Sequence, residues 1–363
     1  MKILSVIVGS PREDSMWFRV KKQMDILSSL GHEVELCFYT RKRLRFKPPF
    51  RYSVIKVSPF NVHLKHFLKV NYGDYDLLFC NLAMRPFICS LSKVQGIPMI
   101  LDNHGDLVSE MDLLFNLDPL KKLCYKMISF FDFRLSDRII CVSTSMIDDL
   151  KQRGVPEDKL YYVTNATDLD FFQPLNENRI NKLKEELGLP DKLICGYIGA
   201  ADKWQGVDSL IKTSKNYRDE DVFFLFVGFS KNKKRDHNSL FLPRVDLDLV
   251  KSYYGVSDIL VLPRPYHKST EVAAPTKFAE YAAMGKPILT TDVGDAARLV
   301  KKYKCGLVIE DNQPENIIEG INKFKSLSKD DIIKMGQNAR KMAEKEFSLK
   351  KMKNDMKKVI DSL

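Results

Sequence analysis

The chain has 363 residues, of which 44% are apolar, and a formal net charge of +11. This length favours two domains, and the apolar share is enough for two cores. No apolar run is long enough to span a bilayer. The seven scattered cysteines form no Cys-x-x-Cys pair, which argues against zinc and disulfide frameworks and favours a reducing cytoplasm. The positive charge favours a partner with phosphates, whether a nucleotide, a nucleic acid or an anionic membrane.

Predicted strands and helices alternate through the first half. A strand over residues 2–9, a helix over residues 17–30 and a strand over residues 32–39 open the chain. Further strands are predicted over residues 52–57, 75–81, 98–102, 138–143 and 160–164. This alternation is typical of an open parallel sheet.

A basic and aromatic loop lies between the second and third predicted strands. Residues 41–51, RKRLRFKPPFR, hold six basic side chains, and the two prolines favour a loop. Such a composition is typical of a contact with an anionic membrane surface, while a solvated loop between two strands stays open as the alternative. The charge is local and no recognition motif accompanies it, which argues against nucleic acid. The candidate membrane contacts are Arg41, Arg43, Arg45, Phe46 and Phe50.

A histidine follows the predicted strand over residues 98–102. Open α/β sheets bind ligands at the carboxyl ends of their parallel strands, so His104 is a candidate site residue. A loop histidine that is hydrogen-bonded to nearby backbone is the alternative.

A second sheet is predicted in the second half. Its strands are expected over residues 193–199, 221–229, 240–245, 258–263, 286–291 and 306–310, with a basic surface loop over residues 231–238. The tail is predicted as a helix that crosses back to the first domain, and a basic amphipathic helix on a membrane is the competing interpretation. The apolar stripe of this helix comprises Leu349, Met352, Met356, Val359 and Leu363.

Residues 257–294 predict an anion site. After the strand over residues 258–263, Pro275 and Thr276 favour a helix start, where unpaired N–H groups and a partial positive charge attract anions. Lys277 adds a full charge in the first turn, and Glu280 lies nearly one turn further on the same face. A diphosphate near Lys277 and a ribose diol near Glu280 would describe a nucleotide. A solvated lysine and glutamate on an ordinary surface helix is an equal alternative from these residues alone.

The segment PTKFAEYAAMGKPI, residues 275–288, resembles the signature of family 4 retaining glycosyltransferases with the GT-B fold. The resemblance covers nearly the whole chain. It implies two Rossmann-like domains that face a cleft, each with a doubly wound parallel sheet. The first domain would bind the acceptor and the second a nucleotide-sugar. By this resemblance the donor diphosphate lies against Pro275, Thr276, Lys277 and Phe278, and Glu280 holds the ribose.

The resemblance assigns further residues. Gly9 and Ser10 would lie on the acceptor side, His104 would face the donor sugar, and Val245 would lie at the nucleobase. The loop that holds Gly199, Lys203 and Gly206 would meet the diphosphate, with Arg264 and Lys277 as further cations. Glu271 either contacts the donor sugar or is a solvated loop acid. The catalytic candidates are His104, Lys277 and Glu271.

Several positions depart from the family pattern. Ala200 replaces the usual arginine after Gly199, and Gln205 replaces the usual lysine before Gly206. Ala166 stands where glycine is usual.

These observations predict a transferase with an acceptor-binding domain over residues 1–168, a donor-binding domain over residues 169–345 and a returning helix over residues 346–363. We expect retention of anomeric configuration, a UDP- or GDP-linked sugar as donor, and a glycan or lipid-linked acceptor in cell-surface polysaccharide or glycoconjugate synthesis. No acidic metal cluster is evident, so no metal and no cofactor are expected. The expected location is the cytoplasm, peripheral to the inner face of the membrane. The alternatives are a non-catalytic scaffold of the same fold at the membrane and a sugar-nucleotide epimerase or hydrolase.

Overall fold

The chain divides into two compact α/β units. The computed structural model describes residues 1–8, 15–40, 46–56, 72–81 and 95–363. One unit comprises Met1–Thr164 with Met352–Leu363, and the other comprises Asn165–Lys351. Within the described residues, each unit is built on a seven-stranded sheet whose strands alternate with helices. The predicted α/β class with two mostly parallel sheets is confirmed.

The first unit contains a sheet in which all described pairings are parallel, in the order β3-β2-β1-β4-β5-β6-β7. Every residue of β4 and β5 is buried, as expected for parallel strands that are covered on both faces. The strands are β1 (Lys2–Val8), β2 (Glu33–Thr40), β3 (Arg51–Lys56), β4 (Leu77–Asn81), β5 (Met99–Asn103), β6 (Arg138–Cys141) and β7 (Leu160–Tyr162).

Capping residues define the helices of the first unit. The Asp106 carboxylate accepts the Ser109 N–H at the start of α2, and Asp118 with Pro119 begins α3. Short 3₁₀ turns occupy Tyr72–Asp74 and Glu157–Lys159. The helices are α1 (Ser15–Ser29), α2 (Leu107–Phe115), α3 (Pro119–Leu135), α4 (Thr144–Gln152) and, from Met352 onward, α13 (Leu349–Asp361).

The predicted apolar stripe of α13 is buried in its middle. Met352, Met356 and Val359 are buried, while Leu349 and Leu363 are 40% and 44% exposed. The buried stripe is therefore shorter than predicted, and the side chains that form it lie in the first unit.

The second unit contains a sheet in the order β10-β11-β9-β8-β12-β13-β14. All described pairings are parallel except that of β10 with β11. The strands are β8 (Leu193–Ile198), β9 (Val222–Ser230), β10 (Lys234–Asp236), β11 (Ser239–Pro243), β12 (Ile259–Leu262), β13 (Ile288–Thr291) and β14 (Gly306–Ile309).

Strand β9 shows how the second core is divided between the two faces of the sheet. Phe223 and Leu225 belong to one buried cluster, whereas Phe224 and Phe226 belong to the other. Because successive side chains of a strand point to opposite faces, a continuous apolar run fills both layers. The run in β9 is therefore a central strand covered by helices on both sides.

The predicted basic loop over residues 231–238 contains a strand. Lys234–Asp236 form β10, which pairs antiparallel with β11, with Asp236 opposite Ser239. The sequence does not reveal this pairing, because short charged segments are typical of edge strands as well as of loops.

The second unit has the helices that connect these strands. A 3₁₀ turn, Lys203–Gln205, precedes α6. The helices are α5 (Glu177–Leu187), α6 (Val207–Asn216), α7 (Leu247–Val256), α8 (Lys268–Glu271), α9 (Thr276–Ala283), α10 (Gly294–Tyr303), α11 (Pro314–Ser326) and α12 (Lys329–Glu346). Among the helices of the described ranges, none combines the length and the hydropathy needed to cross a bilayer.

Candidate functional site

The start of α9 presents backbone N–H groups beyond the carboxyl end of β12. Pro275 precedes the helix and no side chain caps this end. Asn165 Nδ2 donates to the Ala274 carbonyl at 2.7 Å and fixes the segment that enters the helix. An uncapped helix start after a parallel strand can bind an anion through its N–H groups and partial positive charge.

Lys277 is buried in the first turn of α9. Its Nζ donates to the Tyr197 hydroxyl at 2.8 Å and lies 4.3 Å from the centroid of that ring. Gly199 has φ +146°, and a Cβ built there would lie 2.5 Å from Lys277 Nζ. The positive φ therefore favours glycine at 199, and a Cβ there would also displace the end of the Lys277 side chain.

Two buried cations lie close together here. Lys277 and Arg264 are 8% and 6% exposed. Burial, and then the charge of Arg264, lowers the pKa of Lys277 to about 7, although Glu280 and Asp202 act in the opposite direction. Burying like charges costs free energy unless an anion compensates them, so this region favours an anionic ligand.

Arg264 is held by the turn before α6 and by the end of β13. Its Nε donates to the Trp204 carbonyl at 3.4 Å, and Thr291 Oγ1 donates to the Arg264 carbonyl at 2.7 Å. These contacts join the turn before α6 and the end of β13 to the segment after β12. The Trp204 carbonyl contacts the guanidinium group, and Thr291 holds the Arg264 backbone.

Glu280 lies one turn after Lys277 and is half-buried. Its Oε2 accepts a hydrogen bond from the Tyr254 hydroxyl at 2.7 Å. Burial, and then the Glu280 charge, raises the pKa of Tyr254 well above its ordinary value, so the hydroxyl keeps its proton and donates. A carboxylate oriented in this way can accept hydrogen bonds from a diol with its remaining lone pairs.

The loop between β8 and α6 packs on the segment after β12. Gly206 has φ +68°, and a Cβ there would lie 1.8 Å from the Pro263 carbonyl oxygen. Lys203 is exposed, whereas the Gln205 amide oxygen is buried and has no hydrogen-bond partner in the described part of the chain. The structure therefore brings Gly199, Gly206 and Arg264 to the region of Lys277 and leaves Lys203 at the surface.

Glu271 has a structural partner. It is half-buried, and its Oε2 accepts the Gly294 N–H at 2.9 Å, at the first residue of α10. The two interpretations from the sequence were a sugar contact and a solvated acid. The observed hydrogen bond gives Glu271 a third role, which is to cap the start of α10.

Three other residues that were predicted to bind the sugar donor differ in exposure. Phe278 is 3% exposed, and its ring centroid lies 5.6 Å from that of Phe347 in the core. Val245 is half-buried after β11 and packs against the same core. Thr276 is half-buried at the helix start. A contact of Phe278 with a ligand would therefore involve its backbone and not its ring.

In the first unit, His104 belongs to a buried network around Asp102. His104 Nε2 lies 2.6 Å from Asp102 Oδ2, and Gln23 Nε2 donates to the same oxygen at 2.7 Å. Arg19 donates to both carboxylate oxygens, at 3.0 and 2.8 Å, and to the Val163 carbonyl at 3.0 Å.

This network fixes the histidine ring. Burial alone would raise the pKa of Asp102, but the charges of Arg19 and His104 hold it well below its ordinary value. An ionised carboxylate only accepts, so His104 Nε2 carries a hydrogen and Nδ1 is the atom left for other partners. Asp102 thus orients His104 as a carboxylate orients a ligating or catalytic histidine.

Several predicted residues lie outside the described residues. They are Gly9, Ser10, Arg41, Arg43 and Arg45. Phe46 and Phe50 are described and half-buried, and the Phe46 ring lies 4.6 Å from that of Trp17. Phe46 thus packs on an aromatic side chain of its own unit.

No sequence pattern pointed to four polar partners of these sites: Arg19, Gln23, Tyr197 and Tyr254. Each lies on a helix or strand remote in sequence from the group that it contacts. Within the described ranges, no group of three or more His, Cys, Asp or Glu side chains is arranged to hold a metal ion.

Two family models match the chain on either side of the unit boundary. Glycosyltransferase Family 4 matches residues 24–171, and Glycosyl transferases group 1 matches residues 179–342. The chain belongs to the group 1, family 4 glycosyltransferases. The predicted family and its GT-B fold are confirmed.

Known proteins agree with this assignment. An uncharacterized glycosyltransferase of Methanocaldococcus jannaschii is 21% identical over 86% of this chain and 84% of its own length. The putative colanic acid biosynthesis glycosyl transferase WcaI of Escherichia coli is 22% identical over 61% of this chain and 57% of its own length. The structure of HepE from Anabaena in complex with UDP-glucose superimposes with a TM-score of 0.79, at 15% identity and over the full length of both chains.

Proposed function

We propose that this glycosyltransferase moves a sugar from a nucleoside-diphosphate donor to a glycan or lipid-linked acceptor with retention of anomeric configuration. The observation that carries the proposal is the pair of buried cations, Lys277 and Arg264, beside the uncapped start of α9. A diphosphate would add its negative charge beside these two cations, where Glu280 and Asp202 already act on Lys277.

The proposed reaction depends on stabilising the diphosphate as it leaves the sugar. As the glycosidic bond to the donor breaks, negative charge develops on the diphosphate. Fixed positive groups in a desolvated site stabilise that charge without reorganisation. Lys277 and Arg264 thus take the role that a divalent metal takes in other transferases, and the proposed reaction is metal-independent and uses no cofactor.

The nucleoside would lie along the same helix face. Glu280, held by Tyr254, accepts hydrogen bonds from the ribose diol, and Val245 lies against the base. UDP or GDP is the proposed nucleotide, and the presence of UDP-glucose in HepE supports a uridine nucleotide. Retention follows if the acceptor hydroxyl attacks from the face that the diphosphate leaves.

The acceptor is proposed from relatives and charge. WcaI is described as a putative colanic acid biosynthesis transferase, which supports a role in cell-surface polysaccharide or glycoconjugate synthesis. The net charge of +11 supports action on the cytoplasmic face of an anionic membrane. In the first unit, His104 with the Asp102 network would contact the donor sugar, and Gly9 and Ser10 the acceptor.

A non-catalytic scaffold is the second candidate. Ala200 and Gln205 replace cationic residues of the family pattern, which would weaken the hold on a diphosphate. The site still has Lys277 and Arg264 in buried positions, so we favour the enzyme over the scaffold and over an epimerase.

Calorimetric titration with UDP and with GDP tests the proposal. We expect one nucleotide to bind the wild type, and Lys277→Ala and Glu280→Ala to weaken it at least about tenfold. Lys286→Ala is a matched control, because Lys286 is also a lysine with a pKa lowered by burial, to about 8, but donates to the Gly255 carbonyl instead. Absence of binding to the wild type would favour the scaffold, and an equal loss in the control would mean that the effect is on folding.

A further inference from the structure

The helices α2 and α3 of the first unit expose seven large apolar side chains. Among the described residues, 17 large hydrophobic side chains are exposed, and seven of these lie within residues 114–131. Their exposed fractions run from 41% to 71%, so this is a cluster and not a scatter of single residues. We call it the apolar stripe, and its members are Leu114, Phe115, Leu120, Leu123, Met127, Phe130 and Phe131.

The five members of the stripe that belong to α3 lie on the face of this helix that its own unit does not cover. The buried residues of the helix are Ser129, Asp132 and Phe133. At 100° per residue, Leu123, Met127 and Phe130 lie on the opposite side. The helix therefore packs through a narrow, partly polar face and turns its wide apolar face to solvent, which is the reverse of an ordinary surface helix.

Basic side chains accompany the stripe. Helix α3 carries Lys121, Lys122, Lys126 and Arg134, and its one carboxylate, Asp132, is buried. Lys121 and Lys122 pair with Asp118 and Asp112 at 2.7 and 2.8 Å.

The remaining two cations of α3 are exposed. Within the described part of the chain, Lys126 and Arg134 make no ion pair. Long basic side chains can keep their charges at a polar boundary while their stems cover apolar surface.

We propose that the apolar stripe and the basic side chains beside it dock the protein on an anionic lipid surface. A helix of 17 residues is about 25 Å long and lies flat in the interface, with its apolar side chains at the boundary of the acyl chains and its cations at the headgroups. Charge decides between a lipid and a second copy of the chain. Two copies of this face would bring Lys126 and Arg134 against like charges, whereas anionic headgroups complement them.

This inference does not rest on the proposed sugar transfer, because binding to vesicles is measured without donor or acceptor. It also differs from the expected membrane contact in residues 41–51, which lie on another segment. Failure of one proposal therefore leaves the other intact.

A fluorescent probe can report the contact directly. Cys124 is exposed next to Leu123, whereas the other described cysteines are buried. The full chain with Cys89→Ser, a position outside the described residues, would be labelled at Cys124 with an environment-sensitive dye. We expect a blue shift with vesicles of phosphatidylcholine and phosphatidylglycerol, and at least about tenfold weaker partition onto phosphatidylcholine alone.

Co-sedimentation of unlabelled variants completes the test. Met127→Gln with Phe130→Gln should weaken binding to the anionic vesicles by at least about tenfold. Leu249→Gln with Ile333→Gln removes two exposed apolar side chains elsewhere and should leave binding unchanged. Lys126→Gln should weaken binding more at low salt than at high salt, and Lys341→Gln is its control.

Two results would overturn the proposal. One is anionic vesicle binding that is equal in the wild type and in the Met127 and Phe130 double variant. The other is a wild type that binds no vesicles but sediments as a dimer, with the double variant as a monomer, which would assign the stripe to self-association. The removed side chains are exposed, so thermal unfolding should be unchanged and would reveal any misfolded variant.

Discussion

Replacing Lys277 with methionine should make the second unit more stable while it weakens nucleotide binding. In the folded protein the pKa of Lys277 is about 7, against about 10.5 for a lysine in water, chiefly because of burial. Between these values the unfolded chain binds a proton that the folded chain does not. The contribution of Lys277 to stability therefore improves as the pH rises through this window, and it is least favourable below pH 7.

The magnitude follows from the shift and from the contacts that are lost. A difference of between three and four pKa units corresponds to on the order of 5 kcal/mol of destabilisation below pH 7. The variant loses the hydrogen bond to the Tyr197 hydroxyl and the contact with its ring, at a cost of about 2 kcal/mol. We therefore expect Lys277→Met to be more stable than the wild type by about 3 kcal/mol at pH 7. Above pH 7 the ratio of the two unfolding equilibrium constants should fall about tenfold with each pH unit.

Tryptophan fluorescence provides the assay. The chain has two tryptophans, Trp17 in the first unit and Trp204 in the second. In a Trp17→Phe background, urea unfolding followed by fluorescence reports the second unit. Lys341→Met, at an exposed position, should show no dependence of its stability difference on pH. A Lys277→Met variant that is less stable than the wild type at pH 7, or a gap equal at pH 7 and pH 9, would refute the reasoning.

Three further substitutions test separate parts of the account. Glu280→Gln removes the charged acceptor for a ribose, so calorimetry should show about tenfold weaker nucleotide binding. Gly206→Ala places a methyl group against the Pro263 carbonyl oxygen at a positive φ. It should destabilise the second unit by about 2 kcal/mol or more in urea unfolding, and normal stability would contradict the packing. Gln23→Leu removes one hydrogen bond to Asp102 and should lower the rate of sugar transfer without changing nucleotide affinity, and a change in affinity would contradict a role confined to the first unit.

Local patterns predicted the sheets because a parallel strand needs a run of apolar residues. Strand β9 was expected over residues 221–229 and is found at Val222–Ser230. Strand β10 was missed because its charged residues pair only through β11, at the edge of the sheet. Helix α3 shows a further limit: its apolar spacing identifies a face but does not tell whether that face is covered.

The sequence predicted only those residues of the candidate site that are close to one another along the chain. Lys277 and Glu280 share one turn of helix, so their spacing alone places them on the same face. Their hydrogen-bond partners, Tyr197 and Tyr254, lie 80 and 26 residues away in sequence. Arg19 and Asp102 are separated by 83 residues. Such contacts arise from the order of strands in the sheets, which no local pattern contains.

A crystal structure of the protein soaked with UDP or GDP would test the central claim most directly. The account predicts the diphosphate at the start of α9, within hydrogen-bond distance of Lys277 Nζ and of the first backbone N–H groups, with the ribose hydroxyls at Glu280. A nucleotide bound elsewhere, or one whose phosphates point away from Lys277 and Arg264, would contradict it.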